Sequence, residues 1–261
     1  MKNKGDKLQF FKLSHRGLVR KNNEDHGEVV KIGSSAGKQA FLAVLADGVG
    51  GHNAGEIASK IAVEKIIAKI TREYPVSDPH TLLGQALQSA NQAILRDIED
   101  HPERHGMGTT CICVLIIGRI LYTAHLGDSR LYLHRKRKLY QLTQDHTLYE
   151  EILRQQNGLQ SGNTRSHPMA HVLSRYLGSP RQIKMDHSII GIETNQDTLN
   201  LRSGDTLLLC SDGITDLVKT DEIAQILSTC AGRKCAQRLV YRALEQGGSD
   251  NASVIVIKIS A

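Results

Sequence analysis

Apolar residues along this chain follow two periods. Residues 8–13, 27–32 and 39–46 form short dense runs, and each reads as a strand. Over residues 57–70 the spacing changes to threes and fours, which marks an amphipathic helix. Asp78 or Thr81 can cap a second helix reaching about Asp100, with Leu82, Leu83, Ala86, Leu87, Ala90, Ile94, Leu95 and Ile98 facing inward. Pro75 and Pro79 separate the two helices.

Strand-like runs then return at 110–117, 120–126, 129–134 and 139–142, with Gly118-Arg119 suited to a tight hairpin turn. This meander is antiparallel in character. Residues 145–178 are mixed, with a helical piece near 149–156 and a polar middle at 157–167. So irregular a stretch inside a compact domain reads as a functional loop. Strands are expected at 185–192 and 206–210, helices at 220–228 and 233–246, and a last strand at 253–259. Helices come in adjacent pairs rather than alternating with strands, which predicts a layered α+β architecture and not a doubly wound one.

The 261 residues, 40% hydrophobic, show no repeat and no Pro/Ser-rich linker, so one domain over 1–261 is expected. The longest apolar stretch, 111–117, is too short to span a bilayer. The N-terminal residues lead into only a short apolar patch, so no secretory leader is expected. Five cysteines without paired spacing argue against a disulfide framework or a zinc site and fit a reducing cytoplasm. Cys111 and Cys113 share one strand face and read as core. Part of the net charge of +6 sits in Arg135-Lys-Arg-Lys138, which reads as a solvated hairpin tip. With no Trp and 4% aromatic content, nucleic acid is not the expected partner.

Four aspartates stand where apolar runs end. Asp47 precedes Gly48, Asp128 precedes Ser129, Asp212 precedes Gly213, and Asp250 precedes the last strand. Any one alone is a turn or cap residue. As a set at one sheet edge they would repel unless a cation lay among them, and oxygen ligands suit Mg²⁺ or Mn²⁺. The loop after Asp47 lacks the third glycine of a dinucleotide fingerprint and holds no Gly-Lys-Ser/Thr, so neither nucleotide motif is supported. Pro102 between His101 and His105 disfavours a helical metal pair, and Ser211 is not in a nucleophile elbow. Arg20 lies near Glu24 and Asp25, and a guanidinium beside a carboxylate-bound metal pair would bind phosphate.

The segments Gly17-Leu-Val-Arg-Lys-Asn-Asn-Glu-Asp25, Ala46-Asp-Gly-Val-Gly-Gly-His52, Gly106-Met-Gly-Thr-Thr110, Gly127-Asp-Ser-Arg130, Asp145-His146, Leu177-Gly178, Ser211-Asp-Gly213 and Gly248-Ser-Asp-Asn251 occur in one order nearly end to end. In this the chain resembles the type 2C metal-dependent Ser/Thr protein phosphatases in their compact bacterial form. The resemblance implies an α-β-β-α sandwich of two packed antiparallel β-sheets flanked by helix pairs. It implies that Asp47 bridges two tightly held Mn²⁺ or Mg²⁺ ions, that the Gly48 carbonyl binds one, and that Asp212 and Asp250 hold the second. Glu24 and Asp25 would act largely through water, Arg20 would grip the substrate phosphate, and Asp128 would hold a third, weaker ion with Asp212 shared. Residues 145–178 would form the flap. Val49 stands where animal members carry a His after Asp-Gly, and His52 lies nearby.

The implied activity is hydrolysis of phosphoserine and phosphothreonine monoesters by metal-activated water, in a cytoplasmic monomer. Its partners would be phosphorylated proteins, among them a separate Ser/Thr kinase and its substrates, with no nucleic acid and no membrane. Two alternatives stand beside it: a non-catalytic phosphoprotein-binding module of the same fold, and a phosphoesterase acting on small molecules or nucleic acid.

Overall fold

A computed structural model describes residues 8–35, 37–50, 54–155, 167–181, 183–192 and 197–260. Its strands are β1 (Leu8–His15), β2 (Asp25–Ser35), β3 (Lys38–Val49), β4 (Gly108–Thr109), β5 (Cys111–Ile117), β6 (Ile120–Leu126), β7 (Arg130–Arg135), β8 (Lys138–Gln141), β9 (Leu199–Asn200), β10 (Thr206–Cys210) and β11 (Ala252–Ile259). Its helices are α1 (Gly55–Glu73), α2 (Pro79–Asp100), α3 (Leu148–Gln155), α4 (Asp212–Thr215), α5 (Thr220–Thr229) and α6 (Arg233–Glu245). One sheet runs β1-β11-β10-β7-β8; the other runs β2-β3-β5-β6-β9, with β4 paired to β3. All named pairings are antiparallel.

Successive strand residues face opposite sides, so each strand feeds two apolar layers. On β3, Leu42, Val44 and Ala46 join α1 and α2, while Ala43 and Leu45 enter the layer between the sheets. On β10 and β11, Leu207, Leu209, Ile255 and Ile257 enter the same inter-sheet layer. Their neighbours Leu208, Val254 and Val256 meet α5 and α6 in a third layer. The product is the α-β-β-α sandwich, and burial on both faces explains why the strands read as unbroken apolar runs. Cys111 and Cys113 share the helix-side layer, and all five cysteines are free thiols.

Most expected elements lie within a few residues of those found. Asp78 caps α2, accepting from the His80 and Thr81 N–H groups at 3.0 and 3.3 Å, with Pro79 in the first turn. Leu95 and Ile98 are only half-buried, unlike the other expected inward residues Leu82, Leu83, Ala86, Leu87, Ala90 and Ile94. Residues 185–192 are not a strand. A single bridge joins Asp186 to His125. Met185 packs in the α1–α2 layer and Ile189 between the sheets, so the segment crosses layers instead of running along one. Of the polar stretch at 157–167, all but His167 lies outside the described residues. Among those residues, no helix is long and apolar enough to cross a membrane.

The basic tetrad needs one correction. Lys136 and Arg137 form an exposed turn with positive φ, but Arg135 is buried. Its guanidinium donates to both Asp205 carboxylate oxygens, at 2.9 and 2.6 Å, and to the Asn200 carbonyl at 2.9 Å. Removing one partner of a buried pair strands the other charge, so Asp205→Ala should lower unfolding free energy by about 3–5 kcal/mol. Urea titration against wild type reads this directly; an unmoved midpoint would show the pair to be dispensable.

Candidate functional site

The inter-sheet layer changes character at one end. Alternate residues that fill it continue on β2 and β3 to Asp25 and Asp47, which stand directly opposite in the ladder. The same alternation leads β10 and β11 to Ser211 and Ser253. The Ser211 hydroxyl donates to Asp25 Oδ2 at 2.8 Å and accepts from the Ser253 N–H at 3.0 Å. An apolar layer therefore ends in a plug of acids and hydroxyls joining both sheets.

Asp47 lies inside β3 rather than at its end, because Gly48 and Val49 extend the strand by pairing with Thr109 and Gly108. Its N–H donates to Thr110 Oγ1 at 3.0 Å; its carbonyl accepts from the Thr110 N–H at 2.8 Å and from Thr109 Oγ1 at 2.9 Å. These bonds fix the backbone of the central acid. A Cβ on Gly48 would lie 2.2 Å from the Gly55 carbonyl oxygen, so only glycine lets β3 pass the start of α1. Asp212 opens α4 just after β10, and a Cβ on Gly213 would lie 2.0 Å from the Asn251 carbonyl oxygen. Asp128 sits in the turn between β6 and β7, and Asp250 just before β11.

Glu24 is half-buried over the start of α1, where the helix end favours negative charge. Arg20 is exposed, and its Nη2 donates to Asp250 Oδ2 at 2.6 Å, a partner far from it in sequence. Every candidate site residue among Arg20, Glu24, Asp25, Asp47, Gly48, Asp128, Asp212 and Asp250 is thus drawn to one place. His52 lies outside the described residues.

Removal from water and mutual repulsion dominate the electrostatics. Burial raises Asp47 well above the usual carboxylate range, and Asp25, Asp212 and Asp128 add to the rise in that order. Asp212 is pushed up to about 7, by burial first and then by Asp216 and Asp250. Asp25 rises to about 6, burial outweighing its bonds from Ser253 and Ser211, and its buried Oδ1 has no hydrogen-bond partner among the described residues. Asp128 is raised by burial and then by Asp212 and Asp145, and Glu24 chiefly by burial. Oxygen donors that repel one another, one of them orphaned, fit a hard divalent cation, which would restore their ionised forms.

Several contributors carry weaker sequence signals. Asn251 is buried and staples the loop holding Arg20: its Nδ2 donates to the Arg16 and Asn22 carbonyls at 2.8 and 2.9 Å, and its Oδ1 accepts from the Glu24 N–H at 2.8 Å. Its place in Gly248-Ser-Asp-Asn251 flags it without giving its role. Asp216 follows Asp212 by one helical turn, and the two approach His171 from the 145–178 segment, each offering a ligand atom within 4.8 Å of the others. His125, His146 and Asp186 likewise bring ligand atoms within 4.8 Å of one another. The two histidine rings are stacked, however, with centroids 4.6 Å apart and planes 8° from parallel. A ring nitrogen's lone pair lies in the ring plane, so rings stacked face to face cannot share one ion.

Comparison with known proteins agrees with this geometry. The protein phosphatase 2C family matches residues 11–252. The serine/threonine protein phosphatase PstP of Mycobacterium tuberculosis is 34% identical over 252 residues, covering 97% of this chain and 45% of that protein. The chain therefore spans less than half the length of that relative. The serine/threonine phosphatase stp of Listeria monocytogenes is 32% identical over 247 residues, covering 93% of this chain and 92% of that one. A crystal structure of the PstP catalytic domain in complex with two manganese ions matches with a TM-score of 0.79 at 32% identity, covering 97% of this chain and 99% of that one. The chain belongs to the protein phosphatase 2C family.

One buried group gives a pH prediction. Burial, with His146 beside it, moves His125 down to about 4. The folded state keeps this ring neutral where the unfolded chain, titrating near ~6.5, takes up a proton. Its contribution is present above that pH and is lost as pH falls toward 4, by about 3 kcal/mol in total. Urea titrations between neutral pH and pH 4 should show a shallower loss in His125→Asn than in wild type; parallel curves would refute the assignment.

Proposed function

We propose that this chain is a metal-dependent serine/threonine protein phosphatase that hydrolyses phosphoserine and phosphothreonine monoesters. The observation that carries the reading is the convergence of Asp25, Asp47, Asp128, Asp212 and Asp250 on one end of the inter-sheet layer, with Arg20 at its exposed edge. A non-catalytic module of the same fold would be free to lose these acids, and here they stand together. The relatives' names carry the same activity.

In this reading residues 1–261 are one phosphatase domain with a flap at 145–178. The site would take two Mn²⁺ or Mg²⁺ ions, and the similar PstP catalytic domain is in complex with two manganese ions. Asp47, the Gly48 carbonyl, Asp212 and Asp250 would hold them in this chain. Glu24 and Asp25 act through water. Asp128 would hold a third, weaker ion with Asp212 shared, and Asp216 and His171 stand beside Asp212. When bound, the ions would supply charge neutralisation for the substrate phosphate and a lowered pKa for a water nucleophile at neutral pH.

The chain's own groups do the positioning. Monoester transition states are loose, so orientation and charge are most of the task. Arg20 keeps donors free beyond its bond to Asp250 and can clasp phosphate oxygens with its planar fork. Thr109 and Thr110 hold Asp47 still. With Val49 after Asp47-Gly48, that position offers no side-chain acid for the leaving group. Substrates are phosphorylated proteins, including those of a separate Ser/Thr kinase, met by a cytoplasmic monomer that uses neither nucleic acid nor membrane.

A phosphothreonine peptide, a nucleotide and an oligonucleotide assayed with Mn²⁺ test the reading. The peptide should be cleaved preferentially and EDTA should abolish turnover; full activity after thorough chelation would remove the metal from the mechanism. Arg20→Ala should raise KM for the peptide about tenfold or more, the order of one charge-assisted hydrogen bond. An unchanged KM would reject its role as the phosphate clasp.

A further inference from the structure

The residues that root the 145–178 segment are bonded to the turn carrying Asp128. Asp145 grips Arg130, whose Nε donates to Oδ1 at 2.9 Å and whose Nη2 donates to Oδ2 at 2.5 Å. The next residue, His146, brackets Gly127. Its N–H donates to the Gly127 carbonyl at 3.0 Å, and the Gly127 N–H donates to His146 Nδ1 at 3.3 Å. Gly127 has φ +99°, and a Cβ there would lie 2.6 Å from Thr110 side-chain carbons, so the turn is tight and has only its peptide to hold.

Nδ1 accepts from Gly127, while Nε2 lies between Asp186 Oδ2 at 3.8 Å and Arg175 Nη1 at 3.5 Å. Asp186 exchanges both backbone hydrogen bonds with His125, on the strand that leads into the turn. The His146 carbonyl accepts from the Ser174 N–H at 2.9 Å, where the 145–178 segment returns. His146 is 1% exposed, so water does not compete for these bonds.

We propose that His146 is a positioning residue for Asp128. Its Nδ1 fixes the Gly127 peptide, and with it the backbone of the next residue, while its carbonyl ties that turn to the returning flap. Flap and weak metal site are thereby set by one side chain and one peptide. The inference rests on the reading of Asp128 as a ligand of a third ion.

Two conservative variants separate the ring's contacts. In His146→Asn the amide oxygen can stand in for Nδ1 and accept from Gly127. In His146→Gln the longer amide can meet Asp186 but leaves the Gly127 N–H unpartnered. Calorimetric titration with Mn²⁺ should show two tight sites and one weak site in wild type. His146→Gln should weaken the weak site roughly tenfold, the order of one buried unsatisfied donor, and leave the tight pair unchanged. His146→Asn should stay within about threefold of wild type on the same scale. Peptide hydrolysis by His146→Gln should need more Mn²⁺ for half-activation, yet regain the wild-type KM at saturating metal.

Equal weak-site affinity in all three proteins, or a greater loss in His146→Asn than in His146→Gln, would overturn the inference. A wild type that binds only two Mn²⁺ ions would instead overturn the reading of Asp128, and the inference with it. A measurement on wild type alone guards against a variant that fails to fold. Hydrogen exchange at the Gly127 amide should slow over the Mn²⁺ range that fills the weak site, and no change there would also overturn the proposal.

Discussion

Asp25 and Asp47 face each other across the β2–β3 ladder, and Asp212 reaches the same place from the opposite sheet. Ionised together these carboxyls would repel, since Asp25 and Asp212 both raise the resistance of Asp47 to ionisation. They stay because the backbones that carry them are committed elsewhere. β3 is paired along its length, β10 is flanked by β7 and β11, and three apolar layers fix the distance between the sheets. A site built this way is strained toward a cation before any arrives, and the fold's packing supplies the force that keeps it so.

The sheets were legible in the chain because both of their faces are buried, which makes the strands dense and unmistakable. The acids were legible as a set because each borders such a run. Polar groups that act through backbone contacts were harder to see. Asn251 and Thr110 stand in recognisable motif segments, but only the folded chain shows that one staples the Arg20 loop and the other clamps Asp47. The arginines make the same point. Arg135 sits in a basic run that suggests solvent, yet a buried aspartate 70 residues away claims it. Arg20 sits among acids that suggest a local ion pair, yet its partner is Asp250. Charge pairing over long sequence separation leaves little trace in local pattern. Residues 185–192 mislead for a related reason: their apolar side chains serve two different layers, which mimics the density of a strand.

Two histidine-containing groups near the acids illustrate how geometry divides similar chemistry. His171 approaches Asp212 and Asp216 from the 145–178 segment and belongs to the site's open side. His125 and His146 lie flat against one another inside the protein and are spoken for by Gln144, Gly127 and Asp186. The first group faces the chemistry, and the second holds the framework.

The strict alternation along β3 makes the identity of the central acid a matter of counting. Adding one residue between Ala40 and Asp47 would not nudge the carboxyl along the strand; it would turn it to the helix side and bring Ala46 round in its place. Only even steps, or a bulge that absorbs the odd residue, preserve the arrangement. β2 already carries such an irregularity between Lys31 and Gly33, at the end remote from Asp25. Length changes in this fold are therefore confined to the connections between strands, and a site deep between the sheets is protected by parity as much as by burial.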